Sequence, residues 1–228
     1  EDKDWVTESL NGLPAVEAGP FYVAGSHELA SLSGGRLPVW IEAGPAFGTG
    51  HHGTTKGCLE ALAEQMRTRR FANVLDIGTG SAVLAIAAIK AGATRALGTD
   101  IDEESIRVAN ENRVNNRVGR SLKLLVANGA NHPEIRERAP YDLVMANILA
   151  NPLVSLSSDI AALTAPGGRI ILSGLLNFQE PQVRSAYLNR GLKLIDRRRL
   201  NGWSTLVFAR PKRPATTNPS TRSTRAKP

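Results

Sequence analysis

The chain has 228 residues, 42% of them apolar and 21% charged, with 21 glycines and 13 prolines, an ordinary composition for a soluble globular protein. A domain of this size buries roughly 70% of its unfolded surface, so it needs neither disulfides nor a structural metal, and its one cysteine, Cys58, excludes an intrachain disulfide framework and favours a reducing compartment. Of the 28 basic residues behind the net charge of +7, five (Lys212, Arg213, Arg222, Arg225, Lys227) lie in an acid-free stretch at the end, leaving 23 against 21 acids elsewhere. The basicity therefore belongs to a tail at 211–228, rich in Pro, Thr and Ser, whose composition predicts disorder and allows weak RNA contact.

The longest nearly uninterrupted apolar run, 81–89, falls far short of the ~18 residues of a membrane span. No secretory leader opens the chain. These features predict a cytoplasmic protein with no membrane partner. The chain starts at Glu1 rather than methionine, as a piece of a longer protein would.

Residues 1–45 are mixed, with Trp5, proline- and glycine-broken stretches, and short strand-like runs at Phe21–Ala24 and 39–42. From residue 73 the pattern becomes regular. A strand at Asn73–Ile77 leads through Gly78-Thr-Gly80 into an apolar helix at 81–91 that stops at Gly92. A strand at 95–99 ends at Asp100, and a helix at 103–116 follows with Glu103 and Glu104 in its first turn, where the helix dipole favours acids. Strands are predicted at 122–127, 142–147 and 169–173, with a helix at 154–163 ending at Pro166-Gly167-Gly168. A helix at 182–189 precedes a hairpin of 192–199 and 204–209 turning at Asn201-Gly202. Alternating strands and helices imply a doubly wound α/β fold, mostly parallel, with an antiparallel C-terminal hairpin. Such sheets bind ligands at the carboxyl ends of their strands.

Those ends carry the informative residues. Gly78 and Gly80 let the chain turn sharply and a ligand approach it closely. Asp100, 22 residues beyond Gly78, stands where a carboxylate accepts hydrogen bonds from both ribose hydroxyls of a nucleoside; otherwise it caps the next helix. A dinucleotide fingerprint needs a small residue where this chain has Val83. An acid two residues before the first glycine, here Asp76, suits S-adenosylmethionine instead, and Lys90 is the single basic residue of 73–91. Gly48, Gly50 and Gly53 make 46–55 a candidate loop over a ligand, and Thr54 or Thr55 is a candidate cap for the helix around Cys58. His51 and His52 lack helical metal spacing and no Cys or acid cluster accompanies them, so no metal is expected. Asn147 ends a strand in Met145-Ala-Asn147-Ile-Leu149-Ala-Asn151-Pro152, where its side-chain oxygen can accept hydrogen bonds from an amine substrate.

The segments AFGTGHHGTT, VLDIGTGSAVLAIAA, LGTDID, VMANILANPL and APGGRIILSGLL, in this order, resemble the catalytic domain of the bacterial ribosomal protein L11 methyltransferase family from about residue 41 to 210. The resemblance implies a seven-stranded class I methyltransferase domain at 46–210 that moves methyl groups from S-adenosylmethionine, leaving S-adenosylhomocysteine, to lysine side chains and the α-amino group of the ribosomal protein. By motif, Thr55, Gly78, Asp100 and Asn147 would contact the cofactor, Gly80 would line it, Phe47 would help to cover it, and Asn147 would act in catalysis. Ala82 stands where the family usually has glycine. Residues 1–45 correspond to the linker or remnant that follows the family's N-terminal recognition domain. Two other readings compete: a methyltransferase for another protein lysine or small amine, and a catalytically weak cofactor-binding or RNA-associated module. A nicotinamide oxidoreductase is a third.

Overall fold

A computed structural model describes residues 15–29, 34–41 and 52–212 of the chain. Phe47, Trp5 and the tail beyond Lys212 lie outside them. In chain order the elements are β1 Val16–Ala18, β2 Phe21–Ala24, the single turn α1 Ser26–Leu29, β3 Leu37–Trp40, α2 His52–Thr68, β4 Asn73–Ile77, α3 Val83–Lys90, β5 Arg95–Asp100, α4 Glu103–Asn115 and β6 Leu122–Val126. The second half holds α5 Pro133–Glu137, β7 Tyr141–Asn147, α6 Ala150–Ser155, α7 Ser157–Leu163, β8 Thr164–Leu176, α8 Glu180–Leu188, β9 Lys193–Leu200 and β10 Trp203–Ala209.

The main sheet has seven strands in the order β6-β5-β4-β7-β8-β10-β9. Pairing from β6 to β8 is parallel and β10 runs antiparallel to both neighbours, so the fold is the expected doubly wound one with a closing hairpin. Side chains alternate between the two faces of a strand. Val74, Leu143, Met145, Ile171 and Val207 join one hydrophobic cluster with residues of α2 and α3, while Leu75, Val144, Ile170, Leu172 and Phe208 join another with α6, α7 and α8. The closing turn follows the chemistry of Asn-Gly: Asn201 and Gly202 have φ of 50° and 83°, as a two-residue hairpin requires.

Strands β1, β2 and β3 form a separate sheet in that order. Val16, Phe21, Val39 and Ile41 are buried in the cluster shared with α2 and α3. The Asn116 side chain fastens this sheet to the end of α4, accepting from the Trp40 amide at 2.9 Å and donating to its carbonyl at 2.6 Å.

Several boundaries differ from the sequence reading. The strand expected at 39–42 begins at Leu37, because β2 pairs with it from Phe21 opposite Leu37. The helix expected at 154–163 is two short helices around Leu156. The Pro-Gly-Gly stop lies inside β8 as an irregularity: Tyr141 pairs with Thr164 but Leu143 with Arg169, and the excursion is held by Gly167 and Gly168 exchanging hydrogen bonds with Arg210 of the chain leaving β10. The short helix α5, opened by His132 and Pro133, escaped notice because five residues carry no readable period.

Candidate functional site

The strand registers line up the selected residues. Ile77 pairs with Thr99 on one side and Ala146 on the other, so Gly78, Asp100 and Asn147 follow side by side on adjacent strands, ~4.8 Å apart. Asn147 in turn pairs with Ser173. By alternation Asp76, Asp100, Asn147 and Ser173 belong to the face covered by α2 and α3.

The turn after β4 is built for close approach. Gly78 has φ +68°, and a Cβ there would lie 2.2 Å from Ile148 Cγ2, so only glycine fits beneath the segment that follows Asn147. Gly80 has φ of 52° and Ala82 64°. Ala82 is fully buried in the hydrophobic cluster, so its methyl packs into the core. A left-handed alanine costs about 1–2 kcal/mol, offset here by about 0.8 kcal/mol for the buried methyl.

Asp100 Oδ2 accepts the Gly80 amide at 2.9 Å and Oδ1 the Asp102 amide at 3.1 Å. The helix cap is Asp102, which accepts from the amides of Glu104 and Ser105. Asp100 therefore does not cap α4; it clamps the glycine turn at the half-exposed strand end. Each carboxylate oxygen offers two lone-pair directions, so both can take a further donor.

Asp76 lies behind the turn, 1% exposed. Its Oδ2 accepts the Thr79 hydroxyl at 2.7 Å and the Ala85 amide at 3.2 Å, but its Oδ1 has no partner. Burial pushes this carboxyl up to about 6, the bonds from Thr79 and Ala85 oppose the rise, and the nearby Asp100 charge adds to it. A buried oxygen without a donor costs stability, and such groups collect where a ligand supplies what the fold does not.

Helix α2 comes close to β10 through Gly53 and Gly57. A Cβ on Gly57 would sit 2.4 Å from Thr205 Oγ1. Near its far end Gln65 accepts from Arg169, and Arg69 donates to the Gly167 carbonyl, both at the start of β8. The helix thus runs antiparallel to β8, and its amino end stands over the strand carboxyl ends. Cys58 faces Ser173 and Asp76; burial and the carboxylate push the thiol up, which keeps it protonated and inert. Thr55 lies one turn before Cys58 on the same helix and is 7% exposed. The helix starts at His52, so Thr54 and Thr55 are first-turn residues and neither is the cap.

Of the residues singled out in the sequence, Gly78, Gly80, Asp100 and Asn147 lie together at this edge, and Thr55 is on the first turn of α2. Phe47 falls outside the described residues. Two neighbours were overlooked. Ile101 is 67% exposed beside Asp100. Asn128, exposed just past β6, follows Ala127, whose amide donates to the Asp100 carbonyl at 2.7 Å. The sequence carried no signal for either, because their exposure at this edge depends on how the strands pair. Among the described residues no group of three His, Cys, Asp or Glu could hold a metal ion, and no helix is long and apolar enough to cross a membrane.

Residues 1–211 match the ribosomal protein L11 methyltransferase family, PrmA, a match that extends through residues 1–40, ahead of the quoted motifs. A ribosomal protein L11 methyltransferase of a Caulobacter species is 49% identical over 210 residues, 92% of this chain and 72% of the relative. One from Bradyrhizobium diazoefficiens is 50% identical over 208 residues, 91% of this chain and 70% of the relative. The crystal structure of a ribosomal protein L11 methylase from Lactobacillus delbrueckii superposes with a TM-score of 0.76 at 25% identity, over 87% of this chain and 98% of that one.

Proposed function

Because this chain belongs to the ribosomal protein L11 methyltransferase family, we propose that it methylates amino groups of that ribosomal protein, on lysine side chains and at the α-amino end, in the cytoplasm, using S-adenosylmethionine. The observation that carries the reading is the row Asp100–Gly78–Asn147 across three adjacent strand ends, under the amino end of α2 and in front of the orphaned Asp76 oxygen.

The residues present fit the cofactor. Asp100 keeps lone pairs for the two ribose hydroxyls, Ile101 offers an apolar surface to the purine, and Asn128 stands beside it with an amide for the base edge. Gly78 and Gly80 keep side chains out of the cleft, and Thr55 closes it from the helix side. Asp76 Oδ1 lacks a donor that an ammonium-bearing ligand supplies, directly or through water. Bound there, S-adenosylmethionine supplies a methyl group activated by its sulfonium.

The protein's share is position and proton balance. A lysine with its ordinary pKa of ~10.4 must lose a proton, at a cost near 4.6 kcal/mol at neutral pH. Residues 143–158 and 170–179, which flank Asn147, carry no charged side chain. An ammonium entering between them loses water and meets no counter-charge on either segment, which favours its neutral form. Asn147 Oδ1 then accepts an N–H of the neutral amine and aims its lone pair along the line of displacement, and the proton leaves to solvent. No side-chain base is needed.

The test is mass spectrometry of purified ribosomal protein L11 after incubation with the chain and S-adenosylmethionine. Methyl increments on lysine and the amino terminus are expected. Cofactor binding without any increment would assign the site to another acceptor.

A further inference from the structure

Two side chains beside Asn147 are not explained by the fold. Leu149 is 66% exposed and Phe178, on the 3-10 turn Asn177–Gln179, is 77% exposed. Their segments touch on both sides of them. Before them, a Cβ on Gly174 would lie 2.3 Å from the Ile148 carbonyl oxygen; after them, α6 packs on α8 and the Tyr187 hydroxyl donates to the Leu153 carbonyl at 3.0 Å. Leu149 and Phe178 are thus exposed on the two segments that leave the paired strand ends at Asn147 and Ser173.

The turn that presents Phe178 is firmly built. The Asn177 amide donates to the Gly202 carbonyl at 3.0 Å, Ser204 Oγ donates to Asn177 Oδ1 at 2.8 Å, and Gln179 Oε1 accepts the Leu176 amide at 2.9 Å. Three hydrogen bonds hold a phenyl ring in water. Burying it against a partner recovers free energy at little entropic cost, since an aromatic ring has few torsions to fix.

Resting on the methyltransferase reading, we propose that Leu149 and Phe178 form an apolar clamp on the acceptor side of the site, closing on the extended protein segment that carries the target amine. Its chemistry fits a lysine: an aliphatic four-carbon stem crosses the uncharged rim while the nitrogen reaches Asn147. Phe178 and Leu149 stand on different segments, so a chain that spans both is favoured and the clamp selects a protein acceptor. The other strongly exposed apolar residues serve elsewhere or nowhere near: Ile101 lies on the Asp100 side, and Val114, 66% exposed, on α4.

The experiment uses the full chain with saturating S-adenosylmethionine and purified ribosomal protein L11, comparing Leu149→Ser, Phe178→Ser and Phe178→Leu with a remote control, Val114→Ser. Both serine variants should raise the KM for the protein acceptor about tenfold. Their calorimetric affinity for S-adenosylmethionine should match wild type, Phe178→Leu should recover most of the loss, and Val114→Ser should behave as wild type. An unchanged acceptor KM in both serine variants overturns the clamp, as does weakened cofactor binding in either, which would assign the side chain to the cofactor or the fold. A wild-type chain that binds cofactor but leaves the ribosomal protein unmodified overturns the methyltransferase reading, and the clamp with it; an active wild type with indifferent variants overturns the clamp alone.

Discussion

Asp76 shows how one residue can be kept against the interest of stability. Its carboxyl is pushed up to about 6 by burial, so the fold prefers it neutral. The sign follows: its contribution is favourable below the ordinary carboxylate range and is lost as pH rises through about 6. Asp76→Asn should therefore stabilise the protein at neutral pH by about 1–2 kcal/mol, the ionisation penalty less the cost of an unpaired amide, and weaken binding of S-adenosylmethionine. Urea melts and calorimetry of the same variant check both halves; a destabilised variant at neutral pH would contradict the first. In the wild type, cofactor affinity should fall as pH drops below about 6, where the carboxyl is protonated before binding. Asn147→Ala belongs to the same scale. Loss of an oriented acceptor in the reacting position should lower kcat about a hundredfold with the melting temperature unchanged. The spacing of glycines and acids brought Gly78 and Asp100 to notice in the sequence, and a strand end brought Asn147. The empty valence of Asp76 and the exposure of Ile101 were not, because both depend on the register of β4 between β5 and β7.

Among the elements, a buried carboxylate helps tie the hairpin β9–β10 to α8, beside the stacked rings of Tyr187 and Phe208. Glu180, 3% exposed, shares the Ser204 hydroxyl proton with Asn177 Oδ1 and meets Arg197 at 3.3 Å and Arg199 at 3.0 Å. Burial pushes its carboxyl up, but the bonds from Arg199, Ser204 and Arg197 outweigh that and hold it below its usual range. Its stabilisation is thus present above the ordinary glutamate range and fades as pH falls through the lowered value. Glu180→Gln should cost about 1–2 kcal/mol, a buried pair discounted because both arginines are half in water; a urea midpoint equal to wild type would contradict this. The loss should shrink in acid. The βα units were readable because the apolar period switches from two to 3.6 at each boundary, and Asn-Gly fixed the hairpin. The long β8 was not: its Pro-Gly-Gly interruption reads as a stop until Arg210 is seen to pair with it. Nor could a helical period show that Gly53 and Gly57 are needed for contact with β10.

At the scale of the molecule, the two faces of the sheet divide the work. The α2 and α3 face carries the polar row Asp76, Asp100, Asn147 and Ser173, while the α6 and α8 face supplies the uncharged rim with Leu149 and Phe178. The small sheet β1-β2-β3 adds its apolar side to the first face and shares a core with α2. This arrangement could not be read from the sequence, because the strands β1, β2 and β3 are three or four residues long and gain meaning only from the helices they cover. The measurement that tests the account most directly is calorimetric titration with S-adenosylmethionine of the wild-type chain and of Asp100→Ala. The strand-end row predicts one site in the wild type, weakened about 10- to 100-fold when two charge-assisted hydrogen bonds to the ribose are lost. Equal affinity in the two proteins, or no binding to the wild type, would contradict it.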